Sequence, residues 1–327
     1  MTNQKNIEFK ILQTIFKNVK NKKRKCLLCD SDSINSHLLQ RNGILNEISR
    51  ANHVIQIQAN DFFVAEKKGL IDTKLIGVKD AMSYDLFCNK HDTSIFKEIE
   101  SSLIDFSDYK SQLLFSYRSL CAELIKKVIN IDIFTRILKS SNLSTNANLT
   151  ESIKLQLEGN EQGVREINYY KNDFEKDITN SSKNFYFETI KLDTYIPICA
   201  SAAYSPINPT VHNLQFLKDE GKRLNYIFLN IIPYKNDLIL IIGYHKQQTD
   251  EWISSYIDYW KNTDDNPLSE KLTDLISTKI ETWAISPEYF DRIDKTSLKK
   301  FKEYWNENAM NLTIQQNIKY NLFKNCS

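Results

Sequence analysis

Two short motifs constrain this chain more than anything else in it: Cys26-Leu27-Leu28-Cys29 and Cys88-Asn89-Lys90-His91. A two-residue gap lets both side chains of a pair curl onto one ion while backbone amides point at the sulfurs. Together the pairs supply three thiolates and one imidazole, a tetrahedral donor set for Zn2+. The spacing predicts one structural zinc ion on Cys26, Cys29, Cys88 and His91. The long stretch between the pairs suits a fold with an inserted strand region. A redox CxxC would sit between strand and helix of a βαβ unit, and no such unit is predicted here.

The remaining cysteines need no special role. The chain has six, and Cys121 and Cys199 fall in apolar stretches, as buried free thiols commonly do. Cys326 lies at the C-terminal end. The N-terminal stretch lacks a long apolar core, so no secretory signal is expected. No run of about 18 apolar residues appears, so no membrane span is expected either. Cytoplasm is the expected compartment, where thiols stay reduced or bind metal. The abundance of Asn, Lys and Ile suits a low-GC bacterial coding sequence. Seven glycines and a net charge of +2 exclude Gly-loop phosphate cradles and a molecule-wide pull on nucleic acid.

The length of 327 residues favours more than one domain at roughly 100–200 residues each. Periodicity divides the chain into a zinc-binding module with an N-terminal helix (1–106), a mainly helical connecting region (107–183) and an α+β domain (184–327). In the module, His53 to Ala59 alternates as a strand, and Thr93 to Phe106 is spaced as a helix that Asp92 or Thr93 would cap. The order knuckle, strands, second knuckle, helix is that of a treble clef. The helical region shows one apolar face from Leu113 to Val128, a polar linker over 140–150 and a second helix from Glu151 to Ile178. In the last part, Phe185 to Ile190, Ile196 to Ala203, Asn225 to Pro233 and Asp237 to Tyr244 read as strands, the final two joined by a tight turn. Helices follow near 249–261, 267–283, 287–293 and 295–308. The fold class is α+β, with an antiparallel C-terminal sheet carrying helices on one side.

Residues 25–96 resemble the HNH, or ββα-metal, nuclease family. In that family a CxxC knuckle precedes a strand bearing the catalytic His, followed by a second knuckle and a helix. The resemblance implies a metal-dependent endonuclease acting on DNA or RNA, with His37 as general base and Asp92 as a ligand for catalytic Mg2+ or Mn2+. Defence against foreign nucleic acid would suit such a protein. The family's His or Asp before its base is Ser36 here, its following Pro is Gln40, and Asn42 or Asn52 would be its central Asn. The alternative is a non-catalytic, zinc-stabilised module that binds nucleic acid or protein, with His37 structural or replacing His91 on zinc.

A basic cluster, Lys22, Lys23, Arg24, Lys25 and Arg41, flanks the first knuckle and could neutralise phosphates of a nucleic acid. It could equally be a solvated helix end. The C-terminal domain would then contact substrate or a protein partner. His53, His212 and His245 receive no role.

Overall fold

The structure is a computed structural model that describes residues 3–60, 69–141, 143, 147–205, 223–247, 251–262, 267–308 and 318–324. His212, Cys326 and part of the 140–150 linker lie outside these. In chain order the strands are β1 (Asn35–His37), β2 (His53–Ala59), β3 (Ile71–Gly77), β4 (Ser83–Asp85), β5 (Phe185–Leu192), β6 (Ile198–Tyr204), β7 (Ile227–Tyr234), β8 (Asp237–His245) and β9 (Trp283–Ile285). The helices are α1 (Asn3–Lys20), α2 (Asn89–Phe96), α3 (Tyr109–Lys139), α4 (Ala147–Asn180), α5 (Glu251–Lys261), α6 (Leu268–Thr278), α7 (Pro287–Phe290) and α8 (Lys295–Asn308). A π-helical turn spans Arg41–Leu45.

β1 and β4 form a small two-stranded antiparallel sheet of their own. The other seven strands make one antiparallel sheet in the order β3-β2-β9-β6-β7-β8-β5. The α+β class therefore holds. The sheet crosses the sequence division at residue 183, because Ile55 and Gln56 of β2 pair with Ile285 and Ala284 of β9. The chain thus leaves the region of the Cys/His cluster after β1, contributes β2 and β3 to the main sheet, and returns as β4.

The β7–β8 turn follows from two residues. Lys235 (φ 51°) and Asn236 (φ 66°) are both left-handed, and Tyr234 lies opposite Asp237. That two-residue geometry matches the natural twist of a hairpin. Gly243 in β8 lies opposite both Phe187 and Phe228. A Cβ there would stand 2.2 Å from the Phe187 ring, so only glycine lets that ring lie flat on the strand.

The expectation of helices on one side of the sheet is corrected. Both faces are covered. Cys199, Ala203, Phe228, Ile232 and Ile241 face a core built with α3 and α4. Ile198, Ala200, Leu229, Ile231 and Leu240 face a second core built with α5, α6 and α8. The cause is visible in β7, whose residues of both parities are buried through Pro233 and, Asn230 apart, apolar. A strand that is apolar on both faces needs cover on both. The helix expected over 267–283 ends at Thr278, and Trp283–Ile285 becomes β9. Cys121 and Cys199 are buried and free, as expected. No described helix is long and apolar enough to cross a membrane.

Candidate metal centre

The first ligand pair sits in a knuckle closed by an isolated bridge between Lys25 and Asp32. The Cys26 amide donates to the Ser31 carbonyl at 2.8 Å. The Leu28 amide points at Cys26 Sγ, 3.5 Å away. The knuckle is tied to the second pair through backbone: the Leu27 amide donates to Leu86 (3.0 Å) and the Ile34 amide to Phe87 (2.7 Å).

The second pair opens α2. Cys88 is the N-cap residue, in extended conformation, and its carbonyl accepts from the Asp92 amide at 2.9 Å. This corrects the expected cap: Asp92 lies in the first turn of α2 rather than before it. A thiolate at a helix N-terminus also meets the positive end of the helix dipole.

The four donor atoms converge. Cys26 Sγ lies 3.3 Å from His91 Nδ1, Cys88 Sγ 3.5 Å from the same nitrogen, and Cys29 Sγ 3.8 Å from Cys88 Sγ. All four atoms lie within 4.8 Å of one another. With metal–sulfur bonds of about 2.3 Å and metal–nitrogen bonds of about 2.0–2.1 Å, adjacent corners of a tetrahedron should be about 3.5–3.8 Å apart. Two of these three edges fall in that range and the third is 0.2 Å short of it, so the Cys3His set can hold a metal ion such as zinc. Burial pushes the Cys26 thiol up, whereas the Ser31 hydroxyl and amide hold the Cys29 thiol down.

The residues aligned with the nuclease motif have local partners. His37 lies on β1, and its Nε2 is 3.0 Å from the Val78 carbonyl. Ser36 is completely buried, with its hydroxyl toward the Ile34 carbonyl. The Asp92 carboxylate lies 3.5 Å from the Arg118 guanidinium. Arg118, on α3, is almost fully buried, pairs with Glu100 at 2.5 Å and stacks 4.1 Å over the Phe96 ring. No hydrogen bond or ion pair joins His37 to Asp92 among the described residues. Asn42 accepts from Arg41 Nε at 3.3 Å, and the Asn52 carbonyl accepts from the Val78 amide.

Most of the basic cluster is also engaged. Lys22 pairs with Asp132 and Lys25 with Asp32. Arg24 donates to the Val19 and Lys22 carbonyls and lies 3.8 Å from Asp85. Lys23 is exposed. The sequence reading missed Arg118, because its role depends on a long-range packing of α3 against α2 that no local pattern encodes. No protein-family model matches the chain, and comparison with curated proteins and with solved structures finds no match.

Proposed function

We propose that this chain is a zinc-stabilised binding protein. The ion, held by Cys26, Cys29, Cys88 and His91, serves as a scaffold, and recognition of a nucleic acid or protein falls to surfaces that the scaffold positions. The observation that carries this reading is the donor set. Four protein side chains fill all four corners of a tetrahedron, whereas a catalytic site keeps one corner open for water or substrate. The location supports it further, because the site lies between the β1–β4 pair and the start of α2. Metal analysis of purified protein should find about one zinc per chain. A chain that is metal-free yet equally stable would refute the scaffold role. Labelled DNA and RNA, titrated at low and high salt, test the partner class: affinity that falls steeply with salt supports nucleic acid.

A second reading is HNH-like hydrolysis of phosphodiesters with His37 as base, and one observation favours it. His37 Nε2 lies 3.0 Å from the Val78 carbonyl, a contact that would orient the ring of a general base. Catalytic Mg2+ or Mn2+ would have to be recruited near Asp92 despite Arg118. Plasmid and RNA are incubated with either ion, beside a His37→Ala variant. Cleavage that the variant loses supports this reading, and no cleavage, or equal cleavage by both proteins, removes it.

A further inference from the structure

The N-terminal segment is charged unlike the rest of the molecule. Of its first 25 residues eight are basic and one, Glu8, is acidic. The chain's net charge is only +2, so the remaining 302 residues are net acidic by five. Asymmetry of this kind points to a basic surface that meets a polyanion. The structure divides these cations into two groups. Lys22 pairs with Asp132 at 2.9 Å, Lys25 pairs with Asp32 at 2.7 Å, and Arg24 lies 3.8 Å from Asp85. Asp132 also binds Arg136 at 2.7 Å, so one carboxylate there answers two cations. Lys10, Lys17, Lys20 and Lys23 are exposed, and none of them makes an ion pair among the described residues.

The free lysines share a side of the molecule because α1 is helical through Lys20. Lys10 and Lys17 are seven residues apart and Lys17 and Lys20 three apart, spacings that bring side chains to one side of a helix. Gln13, Thr14 and Asn21, also exposed, lie between and beside them. The opposite side is anchored: Ile15 and Val19 are buried with Ile133 and Ile137 of α3, and Ile11 and Leu12 pack on the same cluster. Arg24 Nη2 donates to the Val19 carbonyl at 3.0 Å, which ties the end of the helix to the knuckle that follows. The lysines therefore stand on a fixed support. From Lys10 to Lys20 the helix rises about 15 Å, the length of about four phosphates of one nucleic-acid strand at 3.4 Å each.

A solvated helix end accounts for only part of this. The helix dipole favours Lys17 and Lys20, in the last turn, but not Lys10 in the middle of the helix. We propose that the solvent face of α1, with Lys10, Lys17, Lys20 and Lys23, binds the phosphodiester backbone of a nucleic acid. This deepens, and rests on, the reading of the chain as a binding protein, and it moves the contact from the knuckle cations to the helix before them. Unpaired ammonium groups interleaved with neutral hydrogen-bonding side chains suit phosphate contacts without base readout. An anionic membrane is disfavoured, because binding one through a helix requires a free apolar face, and that of α1 is covered by α3.

Fluorescence anisotropy tests this with the full, zinc-loaded chain and labelled duplex DNA, single-stranded DNA and single-stranded RNA. Poly-glutamate and phosphatidylserine vesicles are the controls for an acidic protein and a membrane. We expect saturable binding of at least one nucleic acid, with log affinity falling against log salt at a slope of about 3–4 for four phosphate contacts. The tightest probe separates DNA from RNA and duplex from single strand. Lys10→Gln, Lys17→Gln, Lys20→Gln and Lys23→Gln combined should weaken binding about tenfold or more and lower the slope by about 3. Glutamine keeps helix propensity, and circular dichroism checks the fold. Lys299→Gln, on exposed α8, should change affinity less than about twofold. No binding of any nucleic acid overturns the proposal, as does a folded four-lysine variant that binds like the wild type. Poly-glutamate or vesicles bound as tightly as the best nucleic acid also overturn it. Zinc content of the same sample separates the two readings: zinc without binding removes this surface alone, and lysine-dependent binding without zinc removes the scaffold alone.

Discussion

Ile55 of β2 lies opposite Ile285 of β9, and through that pairing the strands between β1 and β4 become part of the main sheet. Loss of the metal should therefore be felt by the whole chain. We expect Cys88→Ser, or chelation of the wild type, to lower the melting midpoint of the sheet signal together with that of the N-terminal region, because site formation supplies folding free energy. Two separated transitions by circular dichroism, with the sheet unchanged, would show the pairing to be dispensable.

Arg118 gives a second test. It is buried between Asp92, Glu100 and the Phe96 ring. Arg118→Met keeps the stem but strands a partly buried carboxylate, and should cost about 2–4 kcal/mol in urea denaturation. Lys110→Met, which breaks the exposed Glu98–Lys110 pair, should cost under about 0.5 kcal/mol. Similar losses in the two variants would refute this assignment.

His245 predicts a pH dependence. Burial lowers its pKa below the usual histidine value, although the neighbouring Asp173 works the other way. The folded state then binds fewer protons than the unfolded state at mildly acidic pH. Stability is full above the unfolded value of about 6.5 and falls as pH drops through it toward the lower folded pKa. The slope of the unfolding free energy between about pH 7 and pH 5 should flatten in a folded His245→Gln variant, compared at saturating zinc. A slope identical in both proteins would assign the effect elsewhere.

Gly243→Ala should destabilise the sheet by about 2–3 kcal/mol, because the added methyl meets the Phe187 ring and, at 3.0 Å, the Tyr186 carbonyl. Denaturation of the purified variant measures it, and a neutral result would mean that β5 can slide.

The convergence of Cys26, Cys29, Cys88 and His91 was legible because they are local pairs, each fixed by its own spacing. The β7–β8 hairpin was legible for the same reason, since two strand-like runs flank Lys235 and Asn236. β9 was missed because three residues carry no period, and their strand character comes only from lying between β2 and β6. The second covered face followed from β7's double-sided apolarity, a signal present in the sequence but read as one-sided.

Cys26 and His91 are 65 positions apart, and the loop they enclose contains all of β2 and β3. Closing a loop of that size costs an unfolded chain about 4 kcal/mol of entropy on the polymer model. Arg50, just before β2, and Asp291, just after α7, are joined across 241 positions. The ion would thus shorten the search: once it is bound, two strands of the sheet arrive together on a fixed stalk, and only one distant meeting remains to be made.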